Sequence, residues 1–350
     1  MRPTGKLHLG NYMGALHNWI RLQRQYDCYF FIADWHALTT DYADPSQVRQ
    51  NTLDVALDWL AAGLDPEHCT IFVQSHVKQH AELHLALSMI TPLGWLERVP
   101  TYKEQQENIT GKDLTTYGFL GYPLLQSADI LLYGTPGQPL HVPVGQDQVA
   151  HVELTREVAR RFNSLYMRQL PPGNAKIGEI LKAQSPRELL HVLREPQVLL
   201  TPSPKLPGTD GRKMSKSYGN TILLTDPEPV IRQKLKPMVT DPARIRRSDP
   251  GNPEVCPVFD LHKVFSSGET QQKAREGCTT AGIGCIECKG WLADAVVADL
   301  APMQERRARY EAEPALVQNI LNTGAKRAAL RAEETMHQVR AAIGLSEPAQ

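Results

Sequence analysis

The sequence predicts an α/β fold: a parallel sheet flanked by helices, followed by an all-α C-terminal part. Two observations point there. Short apolar runs at Tyr29 to Ala33 and Thr70 to Val73 alternate with helix-period segments, the pattern of a parallel α/β sheet. Beyond about residue 224 the periodicity is helical, and Ala293 to Leu300 and Val317 to Ile343 carry no strand character. A chain of 350 residues has room for about two domains, and 41% hydrophobic with 22% charged residues is ordinary globular composition.

Composition excludes several classes. The net charge is zero, so any nucleic-acid contact must come from a local patch. Segment 201–250 is a candidate, with ten Lys/Arg against five Asp/Glu. No run of about eighteen apolar residues predicts a membrane-spanning helix. The N-terminus lacks an apolar signal core, so a cytoplasmic compartment is expected. In that compartment the six cysteines are not structural disulfides.

Thr4 to Asn11 reads as a turn feeding a helix, because Leu16, Trp19, Ile20 and Leu22 follow at helical spacing. Free backbone N–H groups and a positive dipole end at such a start suit a phosphate. Gly10 permits close approach, and His8 and Asn11 are candidate donors to it. Tyr29 to Ala33 is a plausible buried strand, and Asp34-Trp35-His36 sits at its carboxyl end, where parallel sheets bind ligands. Tyr122 to Tyr133 is apolar and helical after Pro123, yet contains Asp129, whose burial demands a donor. Tyr122, Gln126 and Asp129 are four and three apart, so they share a helix face and present a phenol, an amide and a carboxylate. A structural ion pair at Asp129 is the competing reading. His141 to Gln148 reads as a strand, a glycine turn and a helix start, placing Gly145 and Asp147 where a nucleotide could meet them. Residues 169–193, with Pro171-Pro172-Gly173, read as an inserted surface element.

Lys213-Met214-Ser215-Lys216-Ser217 lies between Gly208, Gly211 and Gly219. Two lysines three apart, with glycines on both sides, form a mobile cationic loop whose ammonium groups suit phosphate. Cys256, Cys278, Cys285 and Cys288 follow the spacing C-x21-C-x6-C-x2-C, which reads as a metal site. Four cysteines hold structural Zn²⁺ or an iron–sulfur cluster, and spacing alone favours zinc on frequency, with free thiols as the competing reading. Cys28 and Cys69 read as small core residues.

The front turn and the lysine loop together resemble the two signatures of class I aminoacyl-tRNA synthetases. The residues between them, Asp34-x-His36, Tyr122 to Tyr133 and Val142 to Gln148, resemble tryptophanyl-tRNA synthetases over nearly the whole chain. The resemblance implies a Rossmann-like catalytic domain at 1–205 with an inserted amino-acid and dimer region, a mobile loop at 206–222 and a helical anticodon-binding domain at 223–350. It implies formation of Trp-AMP from L-tryptophan and ATP with Mg²⁺, then transfer to tRNA(Trp), by a homodimer. Lys213, Lys216, His8 and Asn11 would be catalytic. Gly10, Gly145, Gln146, Asp147, Leu206, Met214, Ser215 and Ser217 would complete the ATP site. Asp129 would accept the indole N–H, with Tyr122, Gln126, His36 and Gln148 around the ring. The four cysteines resemble those of a subset carrying a [4Fe–4S] cluster, which shifts the expectation from zinc to iron–sulfur. Relatives place a β-strand and a Ser-Gly turn before the front turn, where this sequence has only Met1, so that strand is expected to be missing from the chain as given. A non-catalytic tRNA-binding paralogue and a tyrosine-activating enzyme remain the alternatives.

Overall fold

The computed structural model describes residues 1–108, 112–166, 191–200 and 206–345, so most of the predicted 169–193 insertion lies outside the described residues. The front turn leads into α1 (Leu9–Asn11), a π turn (Tyr12–Leu16) and α2 (His17–Leu22). Then come β1 (Cys28–Ile32), α3 (Asp34–Asp41), α4 (Val48–Ala62) and β2 (Cys69–Val73). β1 and β2 pair in parallel, Cys28 against Cys69 through Ile32 against Val73. All five residues of β2 are buried, as expected of a parallel strand covered on both faces. Gly63 ends α4 in the left-handed region at φ 115°, where a side chain would be strained.

Helices α5 (Gln79–Ser88), α6 (Leu93–Leu96), α7 (Pro100–Asn108), α8 (Tyr117–Leu120) and α9 (Tyr122–Leu131) follow. β3 (Leu140–Val144) pairs in parallel with β4 (Pro196–Leu200), and α10 (Val149–Tyr166) lies between them in sequence. The three predicted strands are thus present; β4 is a fourth that the sequence reading did not name, and the strands of the described residues form two parallel pairs. Beside β1, Met1 continues the ladder: its ammonium donates to Phe31 O at 2.8 Å and its carbonyl accepts from Ala33 N at 2.8 Å. A cavity of about 370 Å³ lies between β1 and β3, lined by Met1, Phe31, Tyr133, Leu140 and Val142 among others. Burial pushes the Met1 amine down to about 5, partly offset by the charge of Asp129.

After the lysine loop the named elements are helical: α11 (Glu228–Leu235), α12 (Pro257–Phe265), α13 (Gly268–Thr279), α14 (Cys285–Ala312) and α15 (Pro314–Ile343). Among the described residues no helix is long and apolar enough to cross a membrane. The last helix returns to the N-terminal sheet. Gly324 of α15 sits against the backbone of β2 so closely that a Cβ there would overlap the carbonyl oxygen of Ile71. Ala325, Ala328, Ala332, Met336 and Val339 of α15 are buried in one cluster with Phe72, Leu83 and Leu131. A Gly324→Ala substitution is expected to destabilise the fold by about 1–3 kcal/mol, read as a lowered denaturation midpoint at unchanged m-value.

Candidate active site

The front turn is held from within. His8 caps α1: its Nδ1 accepts from Asn11 N at 3.3 Å, and Asn11 Oδ1 accepts from His8 N at 3.2 Å. In a neutral ring that leaves the proton on Nε2, as a donor. Burial pushes His8 down to about 4, and Lys216 and Lys213 push the same way, so the ring is neutral at pH 7. Both lysines therefore lie within electrostatic reach of the turn. A Cβ at Gly10 would stand 2.9 Å from the His8 ring, so the His8 cap keeps its place only beside glycine, and 3.6 Å from Met214 of the lysine loop, an ordinary contact distance.

The lysine loop is a tight structure. Pro207 and Lys213 form a bridge, Met214 N donates to Leu206 O at 3.0 Å, and Gly208 N donates to Arg212 O at 2.6 Å. The side chains of Leu206 and Met214 are buried in the core, so what they can offer a ligand is main chain. Ser215 and Ser217 bond each other through their hydroxyls at 2.9 Å. Lys216 Nζ reaches across to donate to Thr4 O at 3.0 Å. Burial lowers its pKa, while Asp58 and Asp54 act in the opposite sense.

Asn220 is the hub of this loop. Its amide donates to Asp210 Oδ1 at 2.7 Å and Lys213 O at 3.1 Å, and its Oδ1 accepts from Ser215 N at 2.8 Å. A Cβ at Gly208 would overlap that amide. Asn220→Ala removes all three bonds and should cost about 1–3 kcal/mol, with faster proteolytic cleavage between Gly208 and Gly219 as the readout.

The amino-acid candidates share one cavity. His36, Tyr122, Gln126, Asp129 and Gln148 all line a space of about 310 Å³, together with Met1, Arg2, Phe31 and His151 among others. This is the lower end of the size range for small-molecule pockets. His36 follows β1 and Gln148 follows β3, so strand carboxyl ends build the wall, as the topology rule requires. Asp34 fixes this end, its Oδ1 accepting from Ser75 N just past β2 at 3.0 Å. Tyr122 Oη shares a hydrogen bond with Thr101 Oγ1 at 2.8 Å, and Thr101 reaches His151 Nε2 at 2.5 Å.

Asp129 is buried and paired. Its Oδ2 accepts from His36 Nε2 at 2.8 Å, and its Oδ1 from Gln74 Nε2 at 2.8 Å and His80 Nδ1 at 2.6 Å. Burial alone would raise its pKa, but His80 and His36 hold it well below the usual carboxylate range. His80 Nε2 meets Tyr133 Oη at 2.8 Å. A carboxylate has about four lone-pair sites; three are occupied, and one remains for a ligand donor. Gln146 and Asp147 are exposed on the turn between β3 and α10, with Gly145 at its start.

The four spaced cysteines are all free thiols. Burial raises the Cys288 thiol to about 12, and Cys256, Cys278 and Cys285 all add to the shift, so the four stand in one neighbourhood. Among the described residues, however, no group of three or more His, Cys, Asp or Glu is arranged to hold a metal ion. The expected ligand set is not preformed, and two sulfurs have other partners. Arg244 Nη1 lies 3.8 Å from Cys278 Sγ, and His262 Nε2 lies 3.4 Å from Cys288 Sγ.

Gln74, His80 and Tyr133 are absent from the sequence-based list of candidates, as are Asn220 and Asp58. Gln74 directly follows β2, so the strand-end rule that selected His36 also selects it. His80 carries no local signal.

Comparison with known proteins gives one consistent result. The family model described as tRNA synthetases class I (W and Y) matches residues 1–301. A tryptophan–tRNA ligase of Thermotoga maritima is 50% identical, covering 99% of this chain and 98% of that protein. A tryptophan–tRNA ligase of Ralstonia nicotianae is 47% identical, covering 99% and 97%. A crystal structure of tryptophanyl-tRNA synthetase from Campylobacter jejuni, complexed with ADP and tryptophan, superposes with a TM-score of 0.82 at 32% identity, covering 99% and 98%. On this match and these relatives, the chain belongs to the tryptophanyl-tRNA synthetases of the class I tRNA synthetase family.

Proposed function

We propose that the chain is a ligase that activates L-tryptophan with ATP and transfers it to tRNA(Trp). The observation that carries this is the meeting of the two distant segments: Lys216 Nζ donates to Thr4 O at 3.0 Å, and both lysine charges act on His8. In the first step a tryptophan carboxylate oxygen attacks the α-phosphorus of ATP. The bond from that phosphorus to the bridging oxygen breaks, and diphosphate leaves. In the second step a terminal ribose hydroxyl of the tRNA attacks the acyl carbon, and AMP leaves. Such transfers depend on positioning and charge stabilisation. Lys213 and Lys216 stabilise the departing diphosphate, and Mg²⁺ supplies further charge neutralisation when bound. His8 Nε2–H, Asn11 and the open Gly10 backbone meet the ATP phosphates. Gly145, Gln146 and Asp147 meet the nucleotide, as does the main chain of Leu206, Met214, Ser215 and Ser217. The fourth lone-pair site of Asp129 takes the indole N–H, with Tyr122, Gln126, His36 and Gln148 around the ring.

In this reading residues 1–205 carry catalysis, 206–222 form the moving loop, and 223–350 bind the anticodon. A second copy completes a homodimer. Exposed Leu85 of α5, Met89 just after it and Leu93 of α6, close in sequence, offer apolar surface for it.

ATP–pyrophosphate exchange is the test. Exchange that requires tryptophan, and charging of tRNA(Trp), support the assignment. Exchange with tyrosine instead gives the tyrosine enzyme, and tRNA binding without exchange gives a non-catalytic paralogue.

Cys256, Cys278, Cys285 and Cys288 are further proposed to hold a [4Fe–4S] cluster, with Zn²⁺ as the alternative. Four free thiols in one neighbourhood are the right donor chemistry, and metal binding would displace their protons. Protein purified without oxygen is expected to be brown, with four iron per chain by elemental analysis. Colourless protein with one zinc decides for the alternative.

A further inference from the structure

Beneath the front turn lies a buried charge cluster built from distant parts of the chain. Asp58 of α4, 1% exposed, accepts from Leu7 N at 2.8 Å, and Leu7 immediately precedes His8. Arg307 of α14, 5% exposed, donates from Nη2 to Asp54 Oδ1 at 2.7 Å, and its Nε lies 3.2 Å from Asp58 Oδ1 as an ion pair without hydrogen-bond geometry. Its Nη1 lies 3.1 Å from Glu311. The opposite side of the turn is held by the segment that leaves the lysine loop: Leu9 N donates to Ile222 O at 3.0 Å, and Leu224 N to Leu7 O at 2.9 Å. Gln304, also on α14, donates to Leu224 O at 2.9 Å and to Asp226 O at 3.0 Å. One helix therefore grips both supports of the turn. The same helix begins at Cys285, about 33 Å away at 1.5 Å per residue.

We propose that Arg307, acting through Asp58, is a positioning residue for the ATP-binding turn, an inference that rests on the activation reading above. Arg307 touches no reacting atom. Its charge holds a buried carboxylate whose other oxygen fixes Leu7 N, and Leu7 sets where His8 and Gly10 stand. Asp58 faces Asp54 on its own helix, Arg307 on α14, Lys6 in the turn and Lys216 in the loop. Burial raises Asp58 to about 6, with the Leu7 hydrogen bond and Arg307 acting against that rise.

The test compares R307M, R307K and D58N with the unaltered chain in tryptophan-dependent exchange, with ATP affinity measured separately by calorimetry. R307M and D58N are expected to raise KM for ATP about tenfold and leave KM for tryptophan unchanged, as for loss of an orienting partner. R307K should recover part of the loss. The double variant should be no worse than either single one, because both break one chain of contacts. Acidification protonates Asp58, so KM for ATP should rise at low pH, and R307M should move that rise to higher pH. A folded D58N and R307M with normal KM for ATP would overturn the proposal, as would equal rises in both KM values. If R307M does not fold, the isosteric D58N decides alone. Absence of exchange in the unaltered chain would refute the activation reading instead, and calorimetric ATP affinities would still report on Arg307.

Discussion

Replacing Lys216 by alanine is expected to slow tryptophan-dependent ATP–pyrophosphate exchange by about 10²–10³-fold, the usual loss when one preorganised transition-state donor is removed. Negative charge gathers on the diphosphate as its bond to the α-phosphorus lengthens. An ammonium group held in place meets that charge without reorganisation. Lys216 is held by Thr4 O at 3.0 Å, beside Gly5, whose φ of 100° shapes the turn there. The effect should fall on the chemical step. Tryptophan affinity should be unchanged, because Lys216 does not line the cavity that holds His36 and Asp129. Lys216→Arg should not restore full activity, since the planar guanidinium does not fit where a compact ammonium does. A loss of tryptophan binding in Lys216→Ala would contradict this assignment.

Asp129→Asn should lower kcat/KM for tryptophan by on the order of 10²-fold, the equivalent of one hydrogen bond to a charged acceptor. An amide of the same shape turns one acceptor into a donor. His36, Gln74 and His80 all point donors at this position, so at least one would then face another donor. The indole N–H would compete for what acceptor capacity is left. Discrimination against phenylalanine should fall with it, because the site would no longer penalise the missing N–H as strongly. Asp129→Ala should go further and destabilise the fold by about 3–5 kcal/mol, the cost of stranding a buried partner. Measuring kcat/KM for tryptophan and the melting temperature of both variants separates recognition from stability.

Much of the candidate site was legible because each of its residues obeyed a local rule. His36 sits at a strand end. Tyr122, Gln126 and Asp129 share a helix face, and all line one cavity. The lysine loop announced itself by its charges and glycines. What escaped were contacts made by distance. His80 looks like any helical histidine until α5 is packed on α9. Arg307 and Asp54 are 253 residues apart, and no pattern joins them before the chain folds. The cysteines show the reverse case. Their spacing was readable, but sequence does not set sulfur geometry, and Arg244 and His262 lie beside two of the sulfurs. The parallel pairing was foreseen, but the separation of its strands into two pairs was not.

The closing of α15 over β2 bears on the order of assembly. The 30 residues of α15 follow both signature segments in the chain, yet they cover a strand made much earlier in synthesis. Ile71 and Phe72 therefore stay uncovered until α15 itself has been made. Variants truncated before Gly324 would preserve both signature segments and still be prone to aggregate.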